Sequence, residues 1–215
     1  MPPLRRSDSP PSLLLPARRA LQAAETDVLV VGGGPAGLGA ALGAAWAGAK
    51  VILVERYGFF GGNATAALVM PLMSFHTQRA EIARSEAKLL PTDHGPGKPV
   101  IAGALLKMLE RLVESGGAVS PSLETGYVVP FDPEVFKWVA LDMLDEAGVQ
   151  FLFHAFATDV TGDAEVEGVV FETKSGPIVI KAGMTVDCTG DGDVAARAGA
   201  AFEVGRHPDG LVQPM

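Results

Sequence analysis

Hydrophobic residues near the start of the chain follow a pattern that predicts a strand, a helix and a second strand. Residues 27–31 and 50–55 are short runs rich in valine, isoleucine and leucine, which is typical of strands buried on both faces of a sheet. Residues 38–47, between them, have helical density and many small side chains. These segments predict a strand–helix–strand unit with a right-handed crossover.

The later part of the chain predicts two helices and then a series of strands. Residues 101–114 have helical periodicity, and a second helix is expected from Asp132-Pro133 to Glu146, with Gly148 just past its end. Aspartate as a cap, proline in the first turn and glycine after the last turn are strong helix boundaries. After these helices the period changes to two. The strands predicted there are residues 149–153, 155–161, 166–174, 177–181 and 184–188, and a short alanine-rich helix follows them.

Residues 1–24 predict a flexible leader, because they are rich in proline and carry two arginine pairs without regular hydrophobic spacing. A twin-arginine export signal needs a long apolar stretch after the pair, and here only residues 13–15 are apolar before Pro16. No apolar run reaches the roughly 18 residues that cross a bilayer. We therefore expect a cytoplasmic protein without a membrane-spanning segment.

Composition and charge narrow the classes of function. Hydrophobic residues make up 48% of the 215 residues and charged residues 20%, which is typical of a folded globular chain. The net charge of -8 argues against nucleic acid or an anionic membrane as the main partner. The single cysteine, Cys188, excludes a disulfide framework and a cysteine-ligated iron–sulfur cluster.

Metal binding is not predicted. The four histidines show neither HxH nor HExxH spacing. Asp187, Asp191 and Asp193 lack the spacing and the final glutamate of a calcium-binding loop, so helix capping and ligand contact explain them better.

A glycine-rich turn carries the main chemical signal. Residues 32–37 (GGGPAG) fit G-x-G-x-x-G, directly after the first strand and at the start of the helix. In this motif Gly32 permits the tight turn, Gly34 lets the backbone approach a pyrophosphate, and Gly37 allows the helix to pack closely on the strand. The helix start offers free N–H groups and a positive dipole end to phosphates. The motif predicts a dinucleotide site.

Glu55 and the residues after it indicate which dinucleotide binds. Glu55 ends the second strand, 18 residues after Gly37, where a carboxylate accepts hydrogen bonds from ribose hydroxyls and repels a 2′-phosphate. NADP is therefore disfavoured. A second glycine pair at residues 61–62, followed by Asn63 and Thr65, adds groups able to contact phosphate or ribityl oxygens, which favours a flavin nucleotide.

Three segments, residues 32–69, 130–160 and 186–206, resemble the FAD-dependent oxidoreductase family of the glutathione-reductase-like two-dinucleotide fold superfamily. The resemblance implies an α/β fold. It comprises a Rossmann-like FAD-binding domain over residues 25–215, with a central parallel sheet, a β-meander, and a loop and helical excursion toward substrate at residues 66–130.

The resemblance also implies cofactor contacts, position by position, along the length of FAD. They comprise the pyrophosphate contacts Gly32, Gly34, Ala36 and Gly37; the adenosine contacts Glu55, Arg56 and Ala157; the diphosphate–ribityl contacts Gly62, Asn63 and Ala64; and Gly190 with Asp191, which would close over the cofactor.

The expected activity is hydride transfer from a small-molecule substrate to flavin N5. The sequence has no second G-x-G-x-x-G turn, so we expect no separate NAD(P)H domain. His76 could move a proton beside the flavin, although a lone loop histidine is more often a surface residue, and catalytic residues stay unassigned.

Family members usually continue beyond the point that matches Met215. We therefore expect an FAD-binding N-terminal part that retains FAD weakly, exposes the flavin ring, and forms a homo-oligomer or joins a complementing chain. Two alternatives stay open: a thiazole-synthase-like enzyme of an adenine dinucleotide, and a non-catalytic nucleotide-binding fragment.

Overall fold

The predicted strand–helix–strand unit is present in a computed structural model of the chain. It consists of β1 (Leu21–Val31), α1 (Pro35–Trp46) and β2 (Val51–Val54). β1 and β2 pair in parallel, with Val28 opposite Val51 and Val31 opposite Val54. The structure describes residues 14, 16–73, 103–120, 128–163 and 165–212.

Six strands form one mixed sheet. Its remaining strands are β5 (Gln150–Leu152), β6 (Phe156–Thr161), β7 (Gly168–Thr173) and β8 (Gly176–Asp187), and the strand order is β5-β2-β1-β8-β7-β6. The pairs β5–β2, β2–β1 and β1–β8 are parallel, whereas β8–β7 and β7–β6 are antiparallel. This arrangement confirms the predicted α/β class, with a parallel sheet extended by a β-meander.

Strand boundaries differ from the prediction at several ends, and the two largest differences both arise from the pairing between β1 and β8. β1 begins at Leu21, inside the predicted leader of residues 1–24. The predicted strands 177–181 and 184–188 are one continuous strand, β8. β1 and β8 pair from Leu21 and Ile178 onward, so each supplies backbone partners that keep the other extended. The side chains at the start of β1 are exposed, so hydrophobic spacing did not predict that the strand begins at Leu21.

Two further helices of more than ten residues each pack with α1 over one face of the sheet. They are α2 (Ala104–Glu114), which begins three residues later than predicted, and α3 (Pro133–Glu146), whose predicted boundaries are confirmed. The Asp132 carboxylate caps α3 by accepting hydrogen bonds from the backbone N–H of Glu134 at 2.7 Å and of Val135 at 3.3 Å. Arg111 links α2 to α3 through Asp142, at 2.9 Å, and through Glu146.

The short elements complete the described parts of the chain. β3 (Pro71–Leu72) and β4 (Val129–Pro130) form a two-stranded antiparallel sheet in the predicted excursion, and α4 (Asp193–Arg197) follows β8. No helix in the part of the chain that the structure describes is long and apolar enough to cross a bilayer.

The core lies on both faces of the sheet because successive strand residues point to opposite sides. Val30 and Leu53 are fully buried on the face covered by α1, α2 and α3. Leu29 and Ile52 face the other side, where Val194 of α4 packs with them. The continuous apolar runs predicted from the sequence are therefore buried on both faces, and they hold the carboxyl ends of β1, β2 and β8 side by side.

Candidate cofactor site

The first glycine turn joins three elements at close range. Gly32 has a φ of +100°, and its N–H donates a 2.8 Å hydrogen bond to the carbonyl oxygen of Val54. A Cβ at Gly32 would lie 2.2 Å from the carbonyl oxygen of Cys188, and one at Gly37 would lie 1.8 Å from the carbonyl oxygen of Gly32. These two glycines allow α1 and the end of β8 to lie against the turn, as the motif predicts for Gly37.

The two glycine segments contact each other directly. The N–H of Gly61 donates a 2.8 Å hydrogen bond to the carbonyl oxygen of Gly33. A Cβ at Gly62 would lie 2.8 Å from the Cα of Gly34. Gly62 therefore packs its backbone on the turn after β1, and a side chain at Gly62 would push the two segments apart. The sequence placed both segments near a ligand but did not predict this contact.

The start of α1 is open to a ligand. Gly34 is the N-cap residue, and neither a side-chain cap nor an acidic residue occurs in the first turn of this helix, all of which is described. Pro35 begins the helix, where its missing N–H has no cost. Unpaired N–H groups at a helix start bind anions, so the first turn, including Ala36, suits a diphosphate.

Glu55 holds the glycine turn in place. Its side chain is 4% exposed, and one carboxylate oxygen, Oε2, accepts a 2.6 Å hydrogen bond from the N–H of Gly33. The other oxygen, Oε1, accepts from the N–H of Tyr57 at 2.8 Å. Each carboxylate oxygen has further acceptor capacity for a ribose hydroxyl. The sequence predicted only the ribose contact, and missed that Glu55 fixes the turn itself.

Asp187, at the end of β8, organises the opposite side of the site. Its carboxylate accepts from the N–H and hydroxyl of Thr189, at 3.0 Å and 2.7 Å, and from the N–H of Ala195 at 2.8 Å. Partial burial alone would raise the pKa of Asp187, but these hydrogen bonds favour the carboxylate and leave its pKa below the ordinary value. The expected capping role is thus observed at Asp187, which docks α4 against the strand end.

Cys188 follows Asp187 in the chain, lines the cleft and packs against the hydrophobic cluster that includes Leu38 and Ala41 of α1. Burial and then the negative charge of Asp187 raise the pKa of Cys188, so the neutral thiol is favoured. This agrees with its predicted role as a small packing residue rather than a nucleophile.

A cleft of about 510 Å³ brings most of the predicted site residues together. Gly37 and Ala64 do not line it, because they are buried behind its wall, and Asp191 is exposed outside it. The predicted residues that line the cleft are Gly32, Gly34, Ala36, Glu55, Arg56, Gly62, Asn63, Ala157 and Gly190. The lining residues that sequence reasoning did not assign to the cofactor include Tyr57, Phe156, Cys188, Thr189 and Asp193.

Other predicted candidates lie elsewhere. His76 falls outside the described residues. Within the ranges that the structure describes, no group of three or more histidine, cysteine, aspartate or glutamate side chains is arranged to hold a metal ion.

The fold and the site together define a Rossmann-like dinucleotide-binding protein. The glycine turn lies at the carboxyl end of β1 and the acid at the end of β2, which is where such proteins bind the pyrophosphate and ribose. Residues 27–215 match the FAD dependent oxidoreductase family, and the chain belongs to that family. Its cofactor is FAD, and the open helix start and glycine-lined cleft fit this group.

Solved structures share this fold at low sequence identity. Thermovibrio ammonificans THI4 is 23% identical with a TM-score of 0.52, and the match covers 81% of this chain and 61% of that one. OxyS anhydrotetracycline hydroxylase from Streptomyces rimosus is 20% identical with a TM-score of 0.52, and the match covers 86% of this chain and 36% of that one. p-Nitrophenol 4-monooxygenase PnpA from Pseudomonas putida DLL-E4 is 16% identical with a TM-score of 0.55, and the match covers 84% of this chain and 45% of that one. The chain therefore matches less than two thirds of the length of each.

Proposed function

We propose that the protein provides the FAD-binding part of an oxidoreductase in which a small-molecule substrate transfers a hydride to FAD. Membership of the family supports an enzyme of this class. When bound, FAD supplies the hydride-accepting chemistry. The residues of this chain bind the cofactor, orient it and set the charge around it.

One observation carries the proposal: the open start of α1, the two glycine segments and Glu55 converge on a single cleft. The backbone around Gly34 and Ala36 would hold the diphosphate, because an anion is stabilised at a free helix start. Glu55 would accept hydrogen bonds from the adenosine ribose. Gly62 and Asn63, which line the same cleft as Glu55, would contact the diphosphate–ribityl part.

A glycine substitution separates cofactor binding from folding. A Cβ at Gly34 meets only the Cα of Gly62, at 3.7 Å, which is ordinary van der Waals contact. Gly34→Ala should therefore fold normally, but its methyl group keeps the diphosphate from the backbone. We expect FAD affinity, measured by quenching of flavin fluorescence, to fall at least about tenfold with an unchanged melting temperature of the FAD-free protein.

Gly39→Ala is the matched control, because Gly39 lies on the exposed side of α1 and its Cβ would meet nothing within 4 Å. FAD affinity of this variant should equal that of the wild type. Equal affinities for Gly34→Ala and the wild type would contradict the proposed diphosphate position.

Hydride transfer is tested by anaerobic mixing of the FAD-loaded protein with single compounds. Amino acids, secondary amines, hydroxy acids and phenols are the probes, with dithionite as the control that any bound flavin is reducible. We expect one class to bleach the oxidised flavin absorbance in single turnover. If dithionite bleaches the flavin and none of these compounds does, hydride transfer from these four classes of donor to this chain is ruled out.

A further inference from the structure

A column of two stacked aromatic rings with a cation at each end begins at the rim of the cleft and ends on α3. The guanidinium carbon of Arg56 lies 4.8 Å from the centroid of the Tyr57 ring, and its Nη2 donates a 3.2 Å hydrogen bond to the Tyr57 hydroxyl. The Tyr57 and Phe59 rings are stacked, with centroids 5.7 Å apart and planes 7° apart. The Nζ of Lys137 lies 4.1 Å from the centroid of Phe59. We call these four residues the aromatic column.

The near end of the column belongs to the cofactor cleft, whereas the far end does not. Arg56 and Tyr57 line the cleft, while Phe59 and Lys137 do not. The Tyr57 backbone is fixed at the cleft by its hydrogen bond to Glu55, and its carbonyl oxygen accepts from the N–H of His154 at 3.2 Å. The position of the Tyr57 ring, and with it Arg56, therefore depends on what stacks behind the ring.

Arg56 supplies the positive side-chain charge in the described lining of this cleft. Among the described residues that line it, Arg56 is the single basic side chain, and Glu55 and Asp193 are acidic. A chain with a net charge of -8 must still bind a cofactor with two phosphates. A guanidinium held over an aromatic face keeps its charge and loses little further freedom when a ligand arrives.

We infer that Tyr57, Phe59 and Lys137 are positioning residues that hold Arg56 toward the adenosine diphosphate half of FAD. The inference rests on the proposed function, which places the adenosine half beside Glu55. Lys137 acts from α3 through the aromatic rings. The column thereby couples a helix outside the cleft to cofactor affinity.

The experiment measures dissociation constants for three probes by calorimetry: FAD, ADP and FMN. ADP carries the half that the column faces, and FMN lacks it. We expect Tyr57→Ala to lower FAD and ADP affinity by the same factor, about five- to tenfold, and to leave FMN affinity unchanged. Tyr57→Phe keeps the ring face and should restore affinity to within about twofold of the wild type. Lys137→Met should lower FAD and ADP affinity about two- to threefold.

Two control variants separate the column from general effects. Glu134→Gln removes the 2.6 Å ion pair of Lys137 but keeps the cation over Phe59, so affinity should not change. Trp46→Leu removes a similar contact outside the cleft, where the Nζ of Lys107 lies 4.2 Å from the Trp46 ring centroid. It should also leave all three affinities unchanged.

The possible results separate a failure of the aromatic column from a failure of the proposed function on which it rests. If ADP fails to compete with FAD on the wild-type protein, the proposed placement of the adenosine half is wrong. If ADP competes but Tyr57→Ala and Lys137→Met bind it as tightly as the wild type, only the column is wrong. Equal losses for ADP and FMN indicate a structural role and also overturn the inference. If Tyr57→Ala does not fold, Lys137→Met decides between these outcomes, because a column residue should lower FAD and ADP affinity but leave FMN affinity unchanged.

Discussion

The backbone N–H of Gly33 donates a 2.6 Å hydrogen bond to the Oε2 atom of Glu55, 22 residues further along the chain. This bond ties the turn after β1 to the end of β2, and the Glu55 side chain is 4% exposed. A single carboxylate thus shapes the turn proposed to hold the diphosphate and is itself proposed to hold the ribose. Loss of this charge should affect both stability and cofactor binding.

Glu55→Gln tests that double role. A glutamine has one acceptor oxygen, so its amide N–H₂ would face one of the two backbone N–H donors. We expect the free energy of unfolding of the FAD-free protein to fall by about 1.5–3 kcal/mol, the range for hydrogen bonds to charged groups. FAD affinity should fall by more than about tenfold. Urea unfolding and flavin-fluorescence titration measure the two effects, with exposed Glu134→Gln as the control. An unchanged dissociation constant would count against the ribose contact.

Two glycines of α1 should respond in opposite ways to alanine. A Cβ at Gly37 would lie 1.8 Å from the carbonyl oxygen of Gly32, so Gly37→Ala must shift the helix away from the turn. We expect a loss of about 3 kcal/mol in the free energy of unfolding. Gly43 is exposed and its Cβ would meet nothing within 4 Å, so Gly43→Ala should stabilise the protein by about 0.5–1 kcal/mol. Denaturant unfolding of both variants makes the comparison, and a similar change in both would refute the close packing.

The lowered pKa of Asp187 predicts that the free energy of unfolding decreases in acid. Its pKa is lowered in the folded protein, because hydrogen bonds from Ala195 and Thr189 outweigh the opposing effect of burial. A lowered folded pKa means that the contribution is present above the ordinary pKa of aspartate, about 4, and is lost as pH falls through the folded value. Asp187→Asn should therefore be less stable than the wild type at neutral pH. The difference should shrink as pH falls below about 4 in urea unfolding series, and a constant difference across this range would contradict the assignment.

Cys188 should be a slow nucleophile. Burial and the neighbouring Asp187 raise its pKa, and alkylation requires the thiolate. Near neutral pH, iodoacetamide should label the folded protein more slowly than the urea-unfolded chain, and FAD should slow labelling further because Cys188 lines the cleft. Mass spectrometry gives a direct readout, since the sequence contains one cysteine. Faster labelling in the folded state would show a lowered pKa instead.

The sequence determined the features that depend on neighbouring residues. The strand–helix–strand unit follows from apolar runs and helical spacing, and the boundaries of α3 follow from Asp132 as the cap and Gly148 after the end. The glycine turn could be predicted from the sequence, because glycine suits the φ of +100° at Gly32 and the close approach at Gly37. Local conformation and local hydrogen bonds are encoded within a few residues, so one sequence suffices to read them.

Tertiary structure decided the features that join distant segments. β8 is one strand because β1 pairs along its length, although the sequence shows two separate apolar runs. The bond from Gly33 to Glu55 and the packing of Gly34 on Gly62 depend on how the turn folds back on the end of β2. Hydrophobic periodicity fixes which face of an element is buried. It does not fix which atoms of another element lie opposite, and that choice is made by packing of the whole sheet and its helices.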